Sequence, residues 1–310
     1  MSRSVSVVVP VFRSAPILGP LYERLSAVLS MLGEAWEIVL VDDASNDGTF
    51  ERMLELHQRD PRVKAIRFAR NMGQHYATLH GLRRCSGDYV LTLDDDLQNP
   101  PEEIPRFLAK IDEGYDLVIG RIEGGKQHSF LRNLASAAVQ RLIGRILGKP
   151  RSLSLSSYRC MSRRVVRSIS AYSGAQAYLP ALMLGAVPAD RICNLDVSHH
   201  PRMDGRSQYT LRKLLKLSSY LVINHSSIPL RFVTAWGIFL SAASLAYAAY
   251  VFVDVLLNGS AVTGWPTLAV LVSFMSGNIL MCMGILGEYV GRIVSENARS
   301  GQSPVFEEHL

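Results

Sequence analysis

The sequence predicts an α/β domain on a mostly parallel sheet, followed by a C-terminal two-helix transmembrane hairpin. Three observations carry this. Short apolar runs alternate with amphipathic helical patterns from Ser4 to Arg121, as strands and helices do around a parallel sheet with helices on both faces. Two of those runs end in clustered carboxylates, Asp42-Asp43 and Asp94-Asp95-Asp96, and open α/β sheets bind ligands beyond the carboxyl ends of their strands. Two late stretches, 232–257 and 265–286, are uncharged but for Asp254. Each is longer than the roughly 20 apolar residues that cross a bilayer.

Residues 4–11 are a β-branched run and read as a buried first strand, closed by Pro10. The apolar spacing of Leu18, Leu21, Leu25, Val28 and Leu32 predicts a helix over 17–31. A second strand, 37–41, runs into Asp42 and Asp43, and DDASNDGT is turn and helix-cap sequence. A helix to about Gln58, a strand at 63–68, the loop RNMGQ and a helix over 75–84 follow. The central strand, 89–93, runs into the three aspartates, and Pro100 and Pro101 delay the next helix to 102–113. Another strand, 116–120, ends at Arg121. Arg132, Arg141, Arg145 and Lys149 fall on a predicted helix, 153–162 is Ser-rich without a clear pattern, and 179–189 is apolar enough to pack under the sheet. From Leu211 onward a basic amphipathic helix is expected, of the kind that lies in a membrane interface.

The expected organisation is a catalytic domain over 1–208, an interface helix over 209–230, two transmembrane helices over 231–290 and a tail over 291–310. Arg231 precedes the first span, Arg292 and Arg299 follow the second, and the link between them has no Lys or Arg. The positive-inside rule then puts both flanks in the cytoplasm of a multi-pass inner-membrane protein. The alternative for the apolar stretches is two buried core helices. Gly287 and Gly291 form a G-x-x-x-G pair that permits close helix approach or a bend. The net charge of +6 suits an anionic partner or a membrane surface more than nucleic acid. Four scattered cysteines imply neither a disulfide framework nor a zinc site. The apolar run after Arg3 is cut by Pro10 and Arg13, so no signal peptide is expected.

Carboxylates as close as Asp94 and Asp96 repel, and a hard divalent cation, Mg²⁺ or Mn²⁺, shared with a substrate phosphate relieves that. Gln98 offers a neutral oxygen to the same ion. The plainer alternative is an acidic turn that caps the next helix. Asp42 suits a ribose or base. Arg121, Arg132 and Arg202 have no carboxylate partner nearby in sequence and suit bidentate phosphate recognition. Together these parts predict glycosyl transfer: a metal-held diphosphate leaves while a lipid phosphate, already ionised near neutral pH, attacks the sugar.

Several motifs then point to a family. VVVPVF at 7–12, LVDDASNDGT at 40–49, RNMGQHYATLHGL at 70–82, LTLDDDLQNPPEEIPR at 91–106 and GYDLVIGR at 114–121 resemble the GT-A domain of glycosyltransferase family two. GILGEYVGRI at 284–293 resembles the tail of its polyprenyl-phosphate branch. That branch includes dolichyl-phosphate mannose synthases, bactoprenol glucosyltransferases and the undecaprenyl-phosphate formamidoarabinose transferase, whose LQNPPEEIPR run is the most similar.

The resemblance implies a nucleotide-sugar donor, a polyprenyl phosphate acceptor at the membrane lipids, inversion at the anomeric carbon, and a homo-oligomer, with a tetramer as one candidate. It implies that Asp94, Asp96 and Gln98 hold the metal, with Asp96, Arg121 and Arg132 catalytic. Pro10, Phe12, Asp42 and Asp94 match the nucleotide cradle. Arg121, Arg132 and Ser136 match residues that meet the diphosphate and the acceptor phosphate. Arg202 and Ser207 match the acceptor segment at the membrane mouth.

The chain departs from the pattern in three places. Arg13-Ser14 replaces the usual Asn-Glu, Gln208 replaces a Lys, and Ser157 stands where T-G-D-F-R-L-M-S-R carries its Asp, a proposed base. The rival readings are a membrane scaffold that lost its chemistry with that Asp, and a transferase to a protein or non-lipid glycan. A processive polysaccharide synthase is disfavoured, because Gln176 is followed by AYLP and not by the Q-x-x-R-W pattern.

Overall fold

The computed structural model of the chain describes residues 3–33, 35–122, 153–174, 178–198, 228–258, 264–299 and 304–310. The chain divides into two compact units: Met1–Gln208 with Arg299–Leu310, and Tyr209–Ala298.

The first unit is organised on one sheet. Its strands are β1 (Ser4–Val11), β2 (Ala35–Asp42), β3 (Val63–Phe68), β4 (Tyr89–Thr92), β5 (Leu117–Ile122), β6 (Arg159–Ser162), β7 (Ile192–Val197) and β8 (Val305–His309). They lie in the order β7-β5-β6-β4-β1-β2-β3-β8. β6 runs antiparallel to β4 and β5, and β8 antiparallel to β3; the other pairings are parallel. The sheet is therefore mixed but mostly parallel.

Strand alternation divides the core. On β1, Val5, Val7, Val9 and Val11 face one apolar layer and Val8 the other; on β2, Trp36, Ile38 and Leu40 oppose Val39 and Val41. Burial on both faces explains why apolar residues run consecutively at 7–9 in β1 and 38–41 in β2. The first layer takes α1 (Ala15–Met31) through Leu18, Leu21, Leu25 and Leu29, with α2 (Thr49–Arg59) and α4 (Ile104–Asp112). The second takes α3 (Gln74–Arg84), α5 (Arg163–Ser170) and α6 (Leu179–Ala186), the last through Leu179 and Met183. The chain winds outward from β1 to β3, then returns to place β4 on the other side of β1. That reversal opens a crevice at the carboxyl ends of β1 and β4, where such sheets bind ligands.

Several boundaries differ from the sequence expectation. The central strand ends at Thr92, one residue short, and a 3₁₀ turn at Pro101–Glu103 precedes α4 because Pro105 follows so closely. The Ser-rich stretch contributes β6, inserted between β4 and β5. The tail is not a free tail: 305–309 form β8 on the edge of β3, and the Ala69 N–H donates to Pro304 O at 2.8 Å.

The second unit holds α7 (Ile228–Asn258) and α8 (Trp265–Arg299). α8 runs past the expected end at 290, since nothing in EYVGRIVSENAR breaks a helix. It continues through Gly287 and Gly291, and a Cβ added at either meets nothing within 4 Å. Trp236 Nε1 donates to Asn278 Oδ1 at 2.9 Å and links the two helices. Among the described residues no helix is long and apolar enough to cross a membrane, so the expected transmembrane hairpin is not recovered as such. What is present is two long helices with large apolar side chains exposed, Phe232, Ile238, Leu257, Leu280 and Ile293 among them. The interface helix expected over 209–230 lies almost wholly outside the described residues.

Candidate active site

The carboxylates anticipated at strand ends converge on the crevice between β1, β2 and β4. Three non-glycine residues adopt left-handed backbone there: Arg13 after β1 (φ 56°), Ala44 after β2 (φ 62°) and Leu97 after β4 (φ 57°). Such conformations cost energy and gather at functional loops.

Asp42 closes β2 and is fully buried. Its Oδ1 accepts the Ser45 N–H at 3.0 Å. Its Oδ2 is buried without a hydrogen-bond partner among the described residues, and the Arg67 Nε lies 3.7 Å away. Burial pushes the Asp42 carboxyl above the usual range, opposed by Ser45 and Arg67. Asp43, also buried, turns the other way: its two oxygens accept the N–H groups of Met72 and Gly73 at 2.6 and 2.8 Å, pinning the RNMGQ loop. Asp43 N in turn donates to Val11 O at 2.9 Å. Pro10 is buried within β1, while the Phe12 ring is 44% exposed with the Arg13 guanidinium 5.2 Å from its centre.

The three consecutive aspartates have different surroundings. Asp95 is tied to the β1 loop, where its Oδ2 accepts the Phe12 N–H at 3.0 Å and the Ser14 hydroxyl at 2.5 Å. Burial pushes its carboxyl up to about 6 despite those bonds. Asp94 accepts from Gln74 Nε2 and, at 2.6 Å, from the Ser157 hydroxyl. Asp96 Oδ1 accepts the Gln98 N–H at 3.2 Å. Asp94, Asp96 and Gln98 are all part-exposed. Among the described residues no three His, Cys, Asp or Glu side chains are grouped to hold a metal. The protein can thus offer Asp94, Asp96 and the neutral Gln98 oxygen. That all-oxygen set fits Mg²⁺ or Mn²⁺, which usually take their remaining ligands from water and substrate phosphates.

Behind Asp94 lies Arg159, 3% exposed, its Nε donating to Thr92 Oγ1 at 3.0 Å and Ser157 O at 3.3 Å. Burial lowers its guanidinium to about 10, opposed chiefly by the Asp94 carboxylate. Burial, with Arg159 adding to it, brings His75 down to about 4 and leaves that ring neutral at pH 7; it meets Tyr178 edge-on at 5.1 Å.

Of the arginines expected to bind phosphate, Arg121 does have a carboxylate partner. It forms a two-bond pair with Asp196, at 2.5 and 2.8 Å, across the β5–β7 register. Arg132, Ser136, Arg202 and Ser207 lie outside the described residues. Sequence reasoning gave no individual role to Asp95, Ser14, Asp43 or the buried Arg159. The aspartates follow β4 in a turn, and the partners that separate Asp95 from Asp94, Ser14 and Ser157, are remote in sequence, so no local pattern distinguishes them.

Comparison with known proteins bears on this arrangement. The undecaprenyl-phosphate 4-deoxy-4-formamido-L-arabinose transferase of Edwardsiella ictaluri is 38% identical over 299 residues, 94% of this chain and 90% of that protein. The enzyme of the same name from Salmonella paratyphi A is 35% identical over 302 residues, 95% of this chain and 90% of that one. Two solved structures share the fold. Glucosyl-3-phosphoglycerate synthase of Mycobacterium tuberculosis, in complex with Mn²⁺, UDP-glucose and phosphoglyceric acid, has a TM-score of 0.51 at 19% identity, covering 71% of this chain and 78% of that one. Mannosyl-3-phosphoglycerate synthase of Rubrobacter xylanophilus has a TM-score of 0.50 at 19% identity, covering 74% of each chain. The fold is GT-A. The model of the family described as Glycosyl transferase family 2 matches residues 6–170, from β1 to the end of α5, and with relatives of this similarity over nearly the whole length the chain belongs to that family.

Proposed function

We propose that this protein transfers a sugar from a nucleotide-sugar donor to a polyprenyl phosphate, of the undecaprenyl class, at the cytoplasmic face of a bacterial inner membrane. The observation that carries the reading is the crevice itself. Asp94 and Asp96 stand at its rim, part-exposed, and the buried Asp42 has an Oδ2 that makes no hydrogen bond among the described residues, with Arg67 Nε 3.7 Å away.

Asp42 is suited to accept a hydrogen bond from the donor's base or ribose, with Phe12 and Pro10 shaping that end. Asp94, Asp96 and Gln98 would hold a divalent cation, which when bound neutralises charge on the leaving diphosphate. Asp95 keeps the β1 loop against the aspartate loop, so the nucleotide end and the diphosphate end stay in register. We assign Arg121, paired with Asp196, to the diphosphate end, and Arg132, Ser136, Arg202 and Ser207 to the acceptor phosphate. A phosphate oxygen is already ionised near pH 7 and needs positioning more than deprotonation. Inversion at the anomeric carbon follows from attack opposite the leaving group.

Exposed apolar side chains along α7 and α8 support a membrane hairpin. At about 1.5 Å per residue both helices exceed the roughly 30 Å hydrocarbon core. The hairpin also offers a route to a homo-oligomer. Ser157 favours one rival, a scaffold without chemistry.

One assay separates the two. Purified protein is incubated with radiolabelled nucleotide sugars, undecaprenyl phosphate and Mn²⁺. Labelled lipid is expected with one donor, lost in chelator and lost in Asp96→Ala, which should still express and insert. Absence of labelled lipid with every donor favours the scaffold, and full turnover by Asp96→Ala refutes the metal assignment.

A further inference from the structure

The site has a feature that the proposed reaction does not by itself require. β4 and β6 pair antiparallel with Thr92 opposite Arg159, and continuing that register sets Asp94 opposite Ser157. The Ser157 hydroxyl donates to Asp94 Oδ2 at 2.6 Å, and the Gln74 amide donates to Oδ1. Each oxygen of one carboxylate is therefore held by a donor from a different element.

Both donors are themselves fixed. Ser157 O accepts the Thr92 hydroxyl at 2.7 Å and Arg159 Nε at 3.3 Å, so the backbone of residue 157 is pinned to the end of β4. Gln74 opens α3 directly after Gly73, whose N–H is held by Asp43 and whose φ of 90° suits glycine. A hydroxyl at position 157 does what a carboxylate cannot do there. It donates to Asp94 at hydrogen-bond distance, where a second carboxylate would repel it.

We propose that Ser157 and Gln74 are positioning residues, one for each oxygen of Asp94, and that this chain uses position 157 to orient a metal-binding carboxylate and not to accept a proton. The proposal rests on the reading of Asp94 as a metal ligand. Donors to a ligating carboxylate fix its orientation, and losing one typically costs ten- to a hundred-fold in metal affinity.

The test is binding of Mn²⁺ to the full chain in detergent, alone and with uridine diphosphate, read as loss of the free-ion signal in electron paramagnetic resonance. Ser157→Ala and Gln74→Ala should each weaken Mn²⁺ binding by roughly ten- to a hundred-fold, with thermal midpoints near wild type because Gln74 is exposed and Ser157 only half-buried. Ser157→Thr keeps the hydroxyl and should return affinity toward wild type. If wild type binds and both alanine variants bind equally well, or if Ser157→Thr is as weak as Ser157→Ala, the positioning role is overturned. If the wild-type chain binds no Mn²⁺ under either condition, the metal reading beneath the proposal fails instead.

Discussion

Asp43→Asn tests whether the RNMGQ loop is held by a carboxylate acting as a double acceptor. Asp43 receives two backbone N–H groups, from Met72 at 2.6 Å and Gly73 at 2.8 Å. An asparagine keeps one acceptor oxygen and turns its NH₂ toward the second N–H. The variant loses one hydrogen bond to a charged group, about 1.5–3 kcal/mol, and leaves a buried donor unmet, at about 1–3 kcal/mol more. Against this, burial holds the Asp43 carboxyl above its usual range, so the variant sheds part of a desolvation cost. The net expected at pH 7 is about 2 kcal/mol, or a melting point lower by about 4–8 °C for a unit of this size. The pH dependence has a definite sign. The folded pKa is raised, so the wild type's stability from this group is fullest below the unfolded value and declines as pH rises through the folded one. The variant lacks that slope, and the gap between the two proteins should be widest at low pH. The assay is intrinsic-fluorescence melting of the purified chain across pH, with Asp43→Ala as the more severe control. A melting point for Asp43→Asn within about 1 °C of wild type at pH 7 would refute the double-acceptor argument.

Arg13→Asn should raise stability by about 1 kcal/mol, because Asn tolerates left-handed backbone better than Arg does; an unchanged or lower melting point would count against strain at φ 56°. Gly87→Ala should cost about 3 kcal/mol or more, since its Cβ would lie 2.6 Å from Ser6 N and 2.9 Å from Val5 C; normal expression and melting would contradict this. Burial brings His80 down to about 4 from 6.5, with Arg84 and Arg83 adding to the shift. Glu308 lies 4.0 Å away, and Phe68 meets the ring edge-on. Its depressed pKa gives stability that is full above pH 6.5 and lost as pH falls toward 4, by up to roughly 3 kcal/mol. Denaturant midpoints across that window should flatten in His80→Leu, and parallel curves would dismiss the assignment.

Much of the architecture is legible because buried strands advertise themselves. β1 is valine-rich, β2 carries the apolar run 38–41, and β3 buries Val63, Ala65, Ile66 and Phe68. The aspartates that end β2 and follow β4 are where ligands bind such sheets. β6 is not legible, because it opens on Arg159, a charged residue that reads as surface but is buried against Thr92 and Met183. β8 is hidden for a similar reason: VFEEH carries two glutamates and a histidine on an edge strand, and its partner β3 is remote in sequence. The pairing of Arg121 with Asp196 depends on β5 lying beside β7, which no local pattern reports. Within the site, residue type located Asp42, Asp94 and Asp96. Only the backbone's direction shows that Asp95 turns to Ser14 while Asp94 turns to Ser157.

The edge position of β8 has a consequence for biogenesis. A sheet edge with unpaired backbone is a template for joining other chains. β3 emerges early from the ribosome, whereas the strand that covers it comes only after both long helices of the second unit have been made. Throughout that interval the nascent domain carries an open flank, vulnerable to intermolecular strand exchange. Chains stalled or truncated after α8 should be the ones that cells find hardest to keep from aggregating.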